Sequence, residues 1–179
     1  MRIYSIYILL CLISFSACQN RREKEIKQFI TSWEGKEIIL PSSWQDAQDS
    51  LWGTAIHKRF KIFTYVDTNG CTECQLKLYD WERLHKKLDS LDKNATILYI
   101  VHNKYPKYIE SIKKRNNVTF PFFLDEENKI GKLNHLSSKL LYRTFLLDST
   151  NKIILFGNPI QNEQIWNLYK QTITNKQKT

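Results

Sequence analysis

The stretch FKIFTYVDTNGCTECQLKLYDWERL, residues 60–84, changes its hydrophobic period across a pair of cysteines. Phe60–Asp67 is rich in aromatic and β-branched residues, the composition of a buried strand. Thr68, Asn69 and Gly70 are turn formers. From Cys74 onward, Leu78, Trp81, Leu84, Leu88 and Leu91 recur every three or four residues, the apolar stripe of a long amphipathic helix. A strand, a turn and a helix follow, with Cys71 at the helix N-terminus. Free backbone N–H groups and the positive end of the helix dipole there favour a thiolate over a thiol. Cys74, one turn later on the same face, is spaced to resolve a mixed disulfide formed at Cys71.

Outward from this stretch the alternation continues. TILYIVH (Thr96–His102) is a second buried strand, and Ile109 and Ile112 anchor a helix ended by Asn116 and Asn117. FPFFLDE predicts a short strand and ENKIGKLNHL a short helix. RTFLLDSTNKIILFG predicts a hairpin around Asp148–Asn151, and NEQIWNLYKQTI a closing helix with Ile165, Leu168, Tyr169 and Ile173 inward. Upstream, KEIILP reads as a first strand stopped by Pro41, and EIKQFITSW as a short amphipathic helix; signals between Ser42 and Gly53 are weak. The order predicts an α/β fold with a central mixed sheet flanked by helices, its parallel strands joined by right-handed crossovers.

The first residues give the chain an address. After Met1 and Arg2, IYSIYILLCLISFSA is apolar and leads to Cys18, the layout of a secretory signal. About fifteen residues at about 1.5 Å each reach roughly 22 Å, short of a ~30 Å hydrocarbon core. FSAC resembles the bacterial lipobox, with Phe15 where leucine is usual, so lipidation of Cys18 is expected. The expected organisation is a signal peptide over 1–17, a tether and short helix over 18–35, and one domain over 36–179. The expected location is the bacterial cell envelope, facing the periplasm.

That address narrows the cysteine chemistry. Cys11 leaves with the signal and Cys18 carries lipid, so Cys71 and Cys74 remain as thiols. A bridge between them closes too small a loop to constrain the unfolded chain much. A structural zinc site needs about four ligands, and the chain has no second cysteine pair; His57, His85, His102 and His135 are scattered and read as surface or boundary residues. Thiol–disulfide exchange is the leading reading, beside a redox-inert pair on a binding domain. No metal and no cofactor are expected. The 179 residues carry a formal charge of +9, but no nucleic-acid-binding motif accompanies it; solvated faces and attraction to anionic headgroups account for it.

On KIFTYVD, GCTEC opening a helix, FFLDEENKIGKL and TFLLDSTNKIILFGNPI, the chain resembles the thioredoxin-like superfamily. Within it, the resemblance is to the exported, membrane-tethered TlpA-like thiol–disulfide oxidoreductases, over roughly residues 36–173. The resemblance implies a thioredoxin-like fold, with Cys71 as nucleophile, Cys74 as resolving cysteine, protein thiols or disulfides as partners, and a monomer. It also exposes departures. Family members usually have tryptophan before the first cysteine and glycine-proline between the two; here Gly70 precedes, and Thr72 and Glu73 intervene. Glu73 would raise the pKa of both sulfurs. The family's cis-proline position falls on Tyr142, followed by Arg143, where an ordinary trans loop is expected. Arg143 is a candidate to supply positive charge near Cys71, the alternative being a solvent-facing arginine. Asp125 and Asp148 end strands before turns, which suits Asx-turn roles better than acid–base catalysis. A non-catalytic binding or assembly lipoprotein on the same fold is the competing function.

Overall fold

The computed structural model describes residues 21, 23–41, 51–67, 75–139 and 142–175. The expectations for Cys11, Cys18, Cys71, Glu73 and Cys74 fall outside these residues. The chain divides into two compact units, Met1–Glu34 and Gly35–Thr179. In the first, residues 23–33 form a helix, α1. Phe29 and Trp33, four residues apart on one face, stack with ring centroids 5.5 Å apart.

The second unit is built on a sheet of five strands: β1 (Phe60–Asp67), β2 (Ala95–His102), β3 (Phe122–Leu124), β4 (Thr144–Leu147) and β5 (Ile153–Phe156). Their spatial order is β3-β2-β1-β4-β5. β1, β2 and β3 are mutually parallel, while β4 is antiparallel to β1 and β5 to β4. The helices are α2 (Leu51–Ile56), α3 (Leu78–Leu91), α4 (Pro106–Arg115), α5 (Lys129–Leu133) and α6 (Glu163–Asn175). From β1 onward the succession matches the sequence reading.

The chain steps from β1 to β2 to β3 in one direction. Two right-handed crossovers taken in the same direction put their helices, α3 and α4, on the same face. That face holds one core: Phe60, Ile62 and Val66 of β1 meet Trp81, Leu84 and Leu88 of α3, Ile109 and Ile112 of α4, and Tyr169 and Ile173 of α6. Alternation sends Phe63 and Tyr65 to the opposite face. There Phe63 stacks on Phe145 at 5.9 Å, and Trp52 of α2 meets Phe123 edge-on at 5.3 Å.

Four details differ from expectation. KEIIL makes only an isolated antiparallel bridge, Glu37 with Lys152. The ladder stops because the Asn134 side chain takes over the next pair of bonds: Ile39 N–H donates to Asn134 Oδ1 at 2.7 Å, and Asn134 Nδ2 donates to the Ile39 carbonyl at 2.9 Å. The helix after the cysteines is not continuous; Gln75 and Leu76 are helical, Lys77 is left-handed with φ 44°, and α3 starts at Leu78. Leu168 is 51% exposed, because successive helical residues are about 100° apart and Tyr169 already points inward. Helix α2 lies partly where sequence signals were weak; Ala55 and Ile56 give it a buried face.

Candidate active site

Parallel pairing brings the C-terminal ends of β1, β2 and β3 to one end of the sheet. Asp67 pairs with His102 in register at that end, and Leu124 closes β3 beside Val101. In open α/β sheets this is the end where sites are built. The segment carrying Cys71, Glu73 and Cys74 runs in sequence between Asp67, the last residue of central strand β1, and the helical turn at Gln75.

Of the charged residues the sequence singled out, Arg143 is the one that pairs with the last residue of β1. It is buried, 7% exposed, which overturns the solvent-facing alternative. Its Nη1 lies 3.9 Å from Asp67 Oδ2, its Nε donates to the Ser137 carbonyl, and its guanidinium carbon lies 5.8 Å from the Tyr65 ring centroid. Its carbonyl accepts the Tyr65 N–H at 3.0 Å, extending the β1–β4 ladder. No peptide bond among the described residues is cis; the bond before Tyr142, where a trans loop was expected, involves Leu141 and lies outside them. Tyr142 is half-buried; its N–H donates to the Lys139 carbonyl at 3.0 Å, and the Lys139 ammonium sits 5.7 Å from its ring.

A polar network extends from here under the sheet end. The Tyr65 hydroxyl lies 3.2 Å from Asp125 Oδ2 and 2.6 Å from Asn128 Oδ1. Burial, and then the Asp125 carboxylate, hold the Tyr65 hydroxyl far above the ordinary phenol range. Asp125 caps α5, accepting from Lys129 N–H at 2.7 Å and Ile130 N–H at 2.8 Å. His102 Nδ1 is 2.7 Å from the Asp125 carbonyl. Asp148 closes the β4–β5 hairpin, with Oδ1 accepting from Thr150 N–H and Oγ1 at 2.8 Å and from Lys152 N–H at 3.0 Å. Both aspartates are therefore structural acceptors, as the turn reading expected.

On the α3 face a cleft of about 230 Å³ opens beside the same junction. Thr64 and Thr144 form its base, their hydroxyls 2.9 Å apart. Gln75, Lys77 and Trp81 line one wall, and Asn158, Ile160 and Gln161 the other. Gln75 Oε1 is buried there without a hydrogen-bond partner among the described residues. The Tyr99 hydroxyl holds the first helical turn by donating to the Leu76 carbonyl at 2.5 Å.

Among the described residues no three His, Cys, Asp or Glu side chains gather as metal ligands. His57 and His135 are exposed, and His85 and His102 half-buried. Burial lowers the pKa of His85, whose ring packs edge-on against Phe120 at 6.0 Å. No helix among the described residues is long and apolar enough to cross a membrane. Sequence reasoning did not single out Tyr65, Asp67, Asn128 or Ser137. Asp67 left one signal, a charged residue at the end of an otherwise apolar strand; Ser137 left none, since it takes part through its backbone.

No family model matches the chain, and no curated protein matches it. Solved structures do. A protein from Bacteroides vulgatus designated a thiol-disulfide oxidoreductase matches with TM-score 0.53 at 14% identity, over 66% of this chain and 76% of that one. One from Chlorobium tepidum designated a thiol:disulfide interchange protein DsbE matches with TM-score 0.52 at 12% identity, over 79% and 96%. A thiol:disulfide interchange protein from Bacteroides sp. matches with TM-score 0.50 at 10% identity, over 66% and 75%. With strand order, crossover side and terminal hairpin already in place, this likeness shows the architecture: the chain has a thioredoxin-like fold.

Proposed function

We propose that this chain is an exported thiol–disulfide oxidoreductase, tethered to the membrane by lipid on Cys18 and acting on protein partners through Cys71 and Cys74. The observation that carries the reading is the junction itself. A CxxC pair falls in sequence between the C-terminal end of the central parallel strand and a helical turn, in a thioredoxin-like sheet. The Cys71 thiolate attacks one sulfur of a partner disulfide, forming a mixed disulfide and releasing the other sulfur as a thiolate. The Cys74 thiolate then attacks Cys71, releasing the second partner thiolate and leaving Cys71–Cys74 oxidised. Run in reverse, the same steps oxidise a partner dithiol with two electrons passing to the pair. Arg143, buried against Asp67 four residues upstream of Cys71, is a source of positive charge for the thiolate, opposed by Glu73.

A Cys74→Ser variant tests the reading. It should accumulate mixed disulfides through Cys71, recoverable from the envelope fraction and absent from a Cys71→Ser/Cys74→Ser control. No captured partner, together with a Cys71–Cys74 pair that fails to exchange with glutathione, would favour a binding lipoprotein instead. A Cys18→Ala variant should leave the membrane fraction; retention there would remove the lipid tether from the reading.

A further inference from the structure

Helix α3 carries its cations on two sides with different fates. Lys86 is 3.8 Å from Glu82, and Lys93, just past the helix end, is 2.5 Å from Asp89. Arg83 and Lys87 have no carboxylate within ion-pair distance among the described residues. Both are exposed, and both line a second cleft of about 160 Å³ between α3 and the loop leading to α6. Its walls include Pro159, Ile160 and Trp166. Ile160 also lines the cleft beside Gln75 and Lys77, so the two hollows share a wall and run from the cysteine junction along α3. Among the described residues, Asp80 is the one carboxylate lining the second cleft, beside Arg83 and Lys87, while Lys77 lines the first.

We propose that this groove docks an extended acidic segment of the partner protein. The inference deepens the proposed function by naming the partner's chemistry, and it rests on that reading for the claim that the partner exchanges thiols. Pro159, Ile160 and Trp166 offer an apolar wall to aliphatic side chains, and Arg83 and Lys87 on the rim take carboxylates. The concave floor favours a peptide over a flat anionic lipid surface, which would reach the rim cations and leave the hollows unfilled.

The test uses the full chain in neutral detergent and two cysteine-free fluorescein-labelled peptides, one alternating Glu with Leu and one alternating Lys with Leu. Anisotropy titration should show the acidic peptide binding at least ~10-fold more tightly at low ionic strength, with most of the preference gone at ~0.5 M salt. Arg83→Glu with Lys87→Glu should abolish the preference, whereas Lys86→Glu with Lys93→Glu, the same change in net charge on paired cations, should leave most of it. Matching thermal midpoints establish that both variants fold. Equal affinity for the two peptides overturns the proposal, as do equal losses in both double variants. It is also overturned if the groove substitutions reduce only binding to phosphatidylglycerol vesicles. Reduction of bis(2-hydroxyethyl) disulfide, measured in parallel, reads the cysteine pair alone: its absence with peptide selectivity intact counts against the exchange chemistry and leaves the groove standing.

Discussion

Arg143 Nη1 lies 3.9 Å from Asp67 Oδ2, joining the residue before β4 to the last residue of β1. The guanidinium is spread over three contacts, the carboxylate, the Ser137 carbonyl and the Tyr65 ring. The carboxylate's other oxygen, Oδ1, is buried with no hydrogen-bond partner among the described residues. Asp67 therefore depends on Arg143 more than Arg143 depends on Asp67, and the strand end that leads into the cysteine pair is held from across the sheet.

Removing the cation should cost stability and thiolate together. Arg143→Ala leaves a mostly buried carboxylate without its partner, which costs about 2–3 kcal/mol, at the low end for buried pairs because the Asp67 side chain is 22% exposed. The pH at which Cys71 is half alkylated by iodoacetamide should rise if Arg143 has the proposed role of favouring the thiolate. Arg143→Lys should restore part of the thiolate shift, but less of the stability, lacking the planar fork that reaches three partners. An alkylation profile unchanged in Arg143→Ala would dissociate this arginine from Cys71.

Gly131 is the close-approach position of the polar network. A Cβ there would stand 2.0 Å from Asn128 Oδ1 and 3.0 Å from the Tyr65 hydroxyl. Gly131→Ala must displace the Asn128 side chain and break its 2.6 Å contact with Tyr65, for a cost of about 1–3 kcal/mol. In an Asn128→Gly background, where the obstructing atoms are gone and the left-handed φ of 56° suits glycine, the same substitution should cost markedly less. Equal costs in urea unfolding with and without Asn128 would show that the strain lies elsewhere.

The sheet was legible because burial on both faces writes itself into composition: FKIFTYVD and ATILYIVH pair over eight residues with little polar interruption. Hairpin and closing helix were legible from turn residues and from period. KEIIL was misread because its apolar pattern cannot announce that a distant asparagine, Asn134, will intercept its hydrogen bonds. Lys77 gave no warning of its left-handed turn, and Leu168 was placed inward because hydrophobicity was given precedence over helical angle. Within the candidate site, Arg143 was visible as a charge immediately after Tyr142, the position where the family has proline. Its partner Asp67, 76 residues away in sequence, became visible only once β4 was laid against β1.

Asp148 should govern the hairpin at neutral pH and release it in acid. Burial raises its pKa, but hydrogen bonds from Thr150 and from the Lys152 N–H outweigh that, and the net shift is downward. A depressed folded pKa gives stability present above the unfolded value, near ~3.9, and lost as pH falls through the folded one. Asp148→Ala should destabilise by about 1–2 kcal/mol at pH 7, through lost turn bonds. The gap to the parent should narrow as pH falls below ~3.9. A gap that stays constant down to pH ~2 would assign the effect to the side chain's packing rather than its charge.

Lys61 gives a signature of the same sign at alkaline pH, by relief of a cost. It is fully buried on β1, its ammonium donating to the Lys58 carbonyl at 3.0 Å and the Ser149 carbonyl at 3.2 Å. Burial lowers its pKa to about 8, against the opposing pull of Asp148. Between that value and the unfolded lysine value near ~10.4, the unfolded chain binds more protons, so this residue's contribution makes stability rise with pH across that window. Below about 8 the cost of holding the buried charge is present in full. After allowance for screening by nearby solvent, the gain between pH ~7.5 and ~10 is about 1–2 kcal/mol. Other groups titrate in the same range, so the measurement is a difference: urea midpoints of the parent and of Lys61→Met, which fills the same space without the charge. The parent should gain on the variant as pH rises. Parallel pH profiles for the two proteins would mean that Lys61 keeps an ordinary affinity for its proton in the folded state.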